Sequence, residues 1–192
     1  MLRLYLSPGS SSMAAHIALH EVGAAFETVQ LSFDRKETQT PEFLAINPAG
    51  KVPTLLVDGR PLTEVAGILF YLARRFPEAR LLPEGAEEQA HVVSWMSFCA
   101  SSVHPARRLG TEHAVAVYRI VEEKLGGREW CVGAYSIADI HLFRLFWRFR
   151  NSLGQPAGTF PALEAHYDRM MARAAVQRTI EAEKAMGYEL PA

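Results

Sequence analysis

The sequence predicts an α/β amino-terminal domain followed by an all-helical one, and three observations carry that expectation. A strand, a helix and a second strand open the chain at 2–6, 12–22 and 26–31. A strand at 54–57, an Asp58-Gly59 turn, a short strand at 60–62 and a helix at 64–76 follow an irregular stretch at 32–48. The composition then shifts at Arg80-Leu81-Leu82-Pro83-Glu84-Gly85, beyond which only helical periodicity remains. The domains are therefore expected at 1–79 and 86–192, with 80–85 as linker.

In the second domain His91, Val92, Trp95, Met96 and Cys99 recur at three- and four-residue steps. They predict one long amphipathic helix from Ala86, ended by His104-Pro105, because a proline disfavours helical geometry in the residue before it. A second helix is expected from about Thr111 to Leu125, stopped by Gly126-Gly127. Ser136 precedes Ile137-Ala138-Asp139, a variant of the capping box with aspartate reaching back to the cap. The helix it starts carries Ile140, Leu142, Phe143, Leu145, Phe146, Trp147 and Phe149, apolar on most sides and hence central to its domain. Pro161 opens the next helix, and 174–186 forms the last.

At 49% hydrophobic content, 192 residues suffice for a buried core without staples. Twenty basic against 21 acidic side chains leave a net charge of −1, which disfavours nucleic acid or an anionic membrane as partner. Cys99 and Cys131 have no close-spaced thiol or paired histidines to complete a zinc set, so no metal is expected and a reducing, cytoplasmic setting is the default. The first residues lack a basic and apolar leader, and no 18-residue apolar run follows, so neither export nor membrane insertion is expected.

The most informative stretch is Asn47-Pro48-Ala49-Gly50-Lys51-Val52-Pro53-Thr54-Leu55, followed by Leu62-Thr63-Glu64-Val65-Ala66. Pro53 cannot donate to a sheet ladder, so it marks an edge, a strand's first residue or a bend. A trans proline opening a strand satisfies the pattern. So does a cis Val52-Pro53 bond, which would turn the N–H and C=O of Val52 outward for an extended peptide ligand.

Together with the βαβ–ββα order, this proline resembles the thioredoxin-like domain of glutathione transferases. The resemblance extends through Tyr135-Ser136-Ile137-Ala138-Asp139-Ile140 and Arg169-Met170-Met171-Ala172-Arg173-Ala174-Ala175-Val176-Gln177, with the bacterial beta-like group as the nearest match. It implies a mixed four-stranded sheet in the first domain, glutathione as co-substrate, a small hydrophobic electrophile, a homodimer and a detoxification role.

The resemblance also assigns residues. Ser11 stands where beta-like enzymes usually carry cysteine, so thiol activation by a hydroxyl hydrogen bond replaces a mixed disulfide, with Ser12 as its neighbour and substitute. The serine run Ser10-Ser11-Ser12 also suits simple helix capping. Glutathione contacts fall on Lys36 or, alternatively, Lys51, on the backbone at Val52 and Pro53, on Glu64 for the ammonium, on the Val65 amide for the γ-glutamyl carboxylate, and on Ser101 across a dimer interface. Glu64 equally fits a first-turn acid favouring the helix dipole, and lone lysines are commonly solvated. Val65 replaces the family's usual serine or glycine. His104 and Met13 are assigned to the electrophile site, although His104 also suits a helix C-terminus. Between His104 and the capping box the chain is shorter than in the family, which implies a more open pocket.

The function implied is glutathione S-transfer to an electrophile. Glutathione-dependent isomerase, dehalogenase or disulfide reductase chemistry fits the same scaffold. A non-catalytic binding module is the alternative of a different class, suggested by the missing cysteine, Val65 and the shortened segment.

Overall fold

Four strands form one mixed sheet in the order β2-β1-β3-β4: β1 (Leu2–Leu6), β2 (Phe26–Gln30), β3 (Thr54–Val57) and β4 (Arg60–Thr63). β1 pairs parallel with β2 and antiparallel with β3, and β3 pairs antiparallel with β4. Alternation sets the faces: Leu4, Leu6 and Leu55 are fully buried, while Arg3 lies opposite Glu27 and donates to its carboxylate at 2.8 Å. The computed structural model describes residues 1–189.

Helix α1 (Ser12–Glu21) joins β1 to β2, α2 (Pro41–Ile46) precedes β3, and α3 (Val65–Arg75) follows β4. The small residues Ala14, Ala15 and Ala18 are buried in α1 and let neighbouring helices approach it closely. Those neighbours are α3 and α9 (Ala174–Met186). The chain accordingly divides into one unit of Met1–Arg75 together with the segment that begins at Ala174, and a second of Phe76–Arg173. This corrects the expected boundaries, since the last helix belongs to the sheet-bearing unit. Its membership depends on side chains that meet across the whole sequence, which periodicity does not register.

The second unit contains α4 (Ala86–Phe98), the short α5 (His104–Ala106), α6 (Thr111–Leu125), α7 (Ile137–Leu153) and α8 (Pro161–Met171). Phe143, Phe146 and Phe149 of α7 are fully buried with Phe160, and Tyr118 of α6 lies 4.1 Å from the Phe149 ring centroid. Each such ring contributes about 1.5–3 kcal/mol on burial. The capping box forms as read: Asp139 accepts from the Ser136 amide at 2.8 Å, and Ser136 Oγ accepts from Ala138 at 3.3 Å.

Two local expectations are corrected. The irregular stretch contains α2, whose start was legible as Thr40 at the N-cap with Pro41 at the first helical position. His104-Pro105 does not end the helical path. A π-helical segment, Cys99–Val103, follows α4 and leads into α5 and a 3₁₀ turn, Arg107–Leu109, with Pro105 in a first turn where its missing N–H costs little. Among the described residues no helix is long and apolar enough to cross a membrane.

Candidate functional site

The loop between β1 and α1 is built by its own hydroxyls. Ser12 is fully buried: its Oγ donates to the Ser7 carbonyl at 3.0 Å, accepts from the Ser7 amide at 3.2 Å and lies 2.8 Å from Ser10 Oγ. Ser12 is thereby committed to holding the turn, which corrects its place beside Ser11 as a catalytic hydroxyl. Ser11 is half-buried, at the N-cap of α1, and its Oγ donates to the Val52 carbonyl at 2.9 Å. The Val52 carbonyl expected to face outward is therefore held by Ser11, not by the sheet.

The Val52-Pro53 peptide is cis. The segment leading into it is pinned from below. Buried Asn47 donates to the Lys51 carbonyl at 2.8 Å and to Thr54 Oγ at 3.0 Å, and Thr54 Oγ donates to the same Lys51 carbonyl at 3.1 Å. Gly50 is required at its position: φ is +58°, and a Cβ there would meet Gln39 Nε2 at 2.5 Å and the Thr38 carbonyl at 2.9 Å. Beneath Val52 lie Leu31 and Phe43, with Tyr5, Val29 and Phe33 packed alongside. Asn47 and Thr54 were quoted in the motif but not read as site-forming; their signal was two short polar side chains flanking the Gly-Lys-Val-Pro bend.

Glu64 precedes α3 with φ +64°, a left-handed conformation unusual for a non-glycine residue, and its carbonyl accepts from the Ile68 amide at 3.0 Å. Its side chain is exposed, whereas Val65 and Pro53 are buried, so Val65 offers a main-chain donor and no surface of its own. Lys36 (φ +55°) and Lys51 are both exposed. Met13 is fully buried, which removes it from the electrophile site and assigns it to the core of its unit.

Glu183 escaped the sequence reading. Fully buried in α9, it accepts from the Gly9 amide at 2.6 Å with one oxygen and lies 2.9 Å from His16 Nδ1 with the other. It thus fixes both the serine loop and the body of α1. His20 stacks on His16 with ring centroids 5.0 Å apart, and Phe26 sets its edge against both. Burial first, then the neighbouring His16 and Arg178, lower the His20 pKa to about 4.

In the second unit Ser101 is exposed on the π-helical segment, and half-buried His104 begins α5. His141 of α7 is buried. Its pKa falls to about 3 through burial, then His104, then Arg144. One group with metal-ligating chemistry occurs among the described residues, Cys131 with Asp139 and His166. Asp139 already accepts from the Cys131 amide (2.8 Å), His166 Nε2 (3.0 Å) and both Ser136 donors. Burial, and then Asp139, push the Cys131 thiol well above its ordinary value, as burial does for Cys99.

A thioredoxin-like sheet with a cis proline before its third strand, joined in sequence to a capped helical unit, defines a recognisable class, and the comparisons agree. The family model for the glutathione S-transferase N-terminal domain matches residues 1–74, and that for the C-terminal domain matches 110–174. Glutathione S-transferase GST-4.5 of Xanthomonas campestris pv. campestris is 32% identical over 204 residues, covering 95% of this chain and 98% of the relative. GstA of Escherichia coli O157:H7 is 31% identical over 200 residues with the same coverage. A sphingomonad glutathione S-transferase solved in complex with glutathione superposes with a TM-score of 0.85 at 34% identity, over 95% of this chain and 98% of that one. The chain belongs to the glutathione S-transferase family.

Proposed function

We propose that the protein binds glutathione on its sheet-bearing unit and transfers it to an electrophile held by the helical unit, with Ser11 as the hydroxyl that activates the thiol. The observation that carries this reading is the Ser11–Val52 hydrogen bond at 2.9 Å. It sets the hydroxyl at the start of α1 beside the main-chain carbonyl that a bound peptide would use. When the amide of the cysteinyl unit takes the Val52 carbonyl, the Ser11 proton is released towards the sulfur. The helix N-terminus adds positive potential for the thiolate.

The γ-glutamyl end would lie on the Val65 amide and the Glu64 carboxylate, and Lys36 or Lys51 would meet the glycyl carboxylate. Lowering the thiol pKa by two units is worth about 2.7 kcal/mol. The thiolate then attacks the electrophilic carbon; with an aryl chloride a C–S bond forms and chloride leaves. His104 lines the electrophile site, and a homodimer would bring Ser101 to the partner's glutathione. Phe70 of α3 and Val93 of α4, 40% and 52% exposed, suit such an association. We place the reaction in the cytoplasm, consistent with two free, buried cysteines, and assign it to detoxification.

Retention on immobilised glutathione followed by conjugation of 1-chloro-2,4-dinitrobenzene tests the reading. Retention with turnover is expected. A protein that passes through the column unretained is instead the non-catalytic module.

A further inference from the structure

The helical unit gathers positive charge where the chain as a whole is nearly neutral, at a net −1. His141, Arg144 and Arg148 follow one another at steps of three and four along α7 and so share a face. His104 and Arg107, three apart, sit on the segment that succeeds the π-helical stretch packed against α7. The two rows act on each other. His104 and Arg144 together depress the charged form of His141, Arg107 depresses that of Arg148, and both Arg107 and Arg144 are felt by the buried Tyr118 hydroxyl. Arg144 is buried, whereas Arg107 and Arg148 are half-buried and so reachable from solvent. The acid of α7, Asp139, is spent on the capping box, Cys131 and His166.

Like charges held this close repel, and a bound anion relieves them. Guanidinium pairs suit a carboxylate in particular, because each presents a planar fork of donors. Resting on the reading that the electrophile lies at His104, we propose that Arg107 and Arg148 select electrophiles carrying a carboxylate, with His104 beside the reacting end. In the reaction the glutathione thiolate adds to the β-carbon of an activated alkene. The alkene electron pair moves to the carbonyl as an enolate, which then takes a proton at the α-carbon, and the carboxylate is unchanged.

Ethacrynic acid and its methyl ester share the same reactive alkene and differ in that charge. The ratio of their kcat/KM values, each corrected for the uncatalysed rate, is expected to favour the acid and to fall about tenfold in Arg107→Gln and in Arg148→Gln, the loss expected for one charge-assisted contact. Arg107→Lys is expected to keep part of it. A ratio that both glutamine variants leave unchanged overturns the proposal. Binding of the saturated, unreactive acid and ester, measured calorimetrically, separates the two readings. Tighter binding of the acid, lost in Arg107→Gln, supports the carboxylate site even in a protein that conjugates nothing; equal binding of acid and ester overturns it.

Discussion

Glu183 and His16, 167 positions apart, meet at 2.9 Å inside the sheet-bearing unit, and the second Glu183 oxygen holds the Gly9 amide of the serine loop. The last helix of the chain therefore determines where the first helix begins. Removing one partner of a buried, hydrogen-bonded pair costs about 3–5 kcal/mol. Glu183→Ala is expected to lose stability on that scale in urea unfolding, and Glu183→Gln, which keeps a hydrogen-bonding oxygen, clearly less. Equal stability of Glu183→Ala and wild type would show that the loop holds its place without α9.

The adjacent serines should separate in their effects. Ser12→Ala strips a partner from the buried Ser7 amide and carbonyl and should lower stability by about 2 kcal/mol, with activity following the folded fraction. Ser11→Ala loses one half-buried bond, about 1 kcal/mol. If Ser11 is the thiol's donor, its kcat should fall by about 10²-fold, as for loss of a transition-state donor. Thiolate absorbance of bound glutathione near neutral pH, present in wild type and absent in Ser11→Ala, checks the cause.

Glu64 combines strain with exposure, a pairing that separates stability from binding. Glycine adopts φ +64° freely, so Glu64→Gly is expected to gain up to about 1 kcal/mol in denaturant unfolding. The same change removes the carboxylate proposed to meet the γ-glutamyl ammonium, and glutathione affinity should drop about tenfold, the value of one charge-assisted bond. Unchanged affinity would move the ammonium site elsewhere.

Two histidines tie stability to pH. His20 and His141 have folded pKa values near 4 and 3, below the ordinary 6.5, so between those limits the unfolded chain binds more protons. Their contribution is complete above about pH 6.5 and drains as the pH falls through 4 and then 3. For buried His141 it amounts to a few kcal/mol, on the order of its shift; for partly exposed His20, about 1 kcal/mol after solvent screening. Unfolding free energies measured from pH 7 to 4 should fall in wild type and fall less steeply in His20→Phe, which keeps the ring stack on His16 and Phe26. Parallel slopes would mean His20 titrates normally.

Local chemistry by itself determined most of this architecture. Alternation placed the strands, Ser136 and Asp139 marked the start of α7, and Val52-Pro53 ahead of an apolar run marked the bend on which the proposed site depends, because caps, turns and periodicities act within a few residues. Tertiary structure decided what depends on meeting at a distance. It buried Met13 and Ser12 while leaving Ser11 half-exposed, gave Val52 its hydroxyl partner, and carried α9 back to the opening unit through Glu183. It also gathered Arg107 and Arg148 beside His104. None of these leaves a trace in neighbouring residues, since burial and electrostatic potential are set by whatever the folded chain brings alongside.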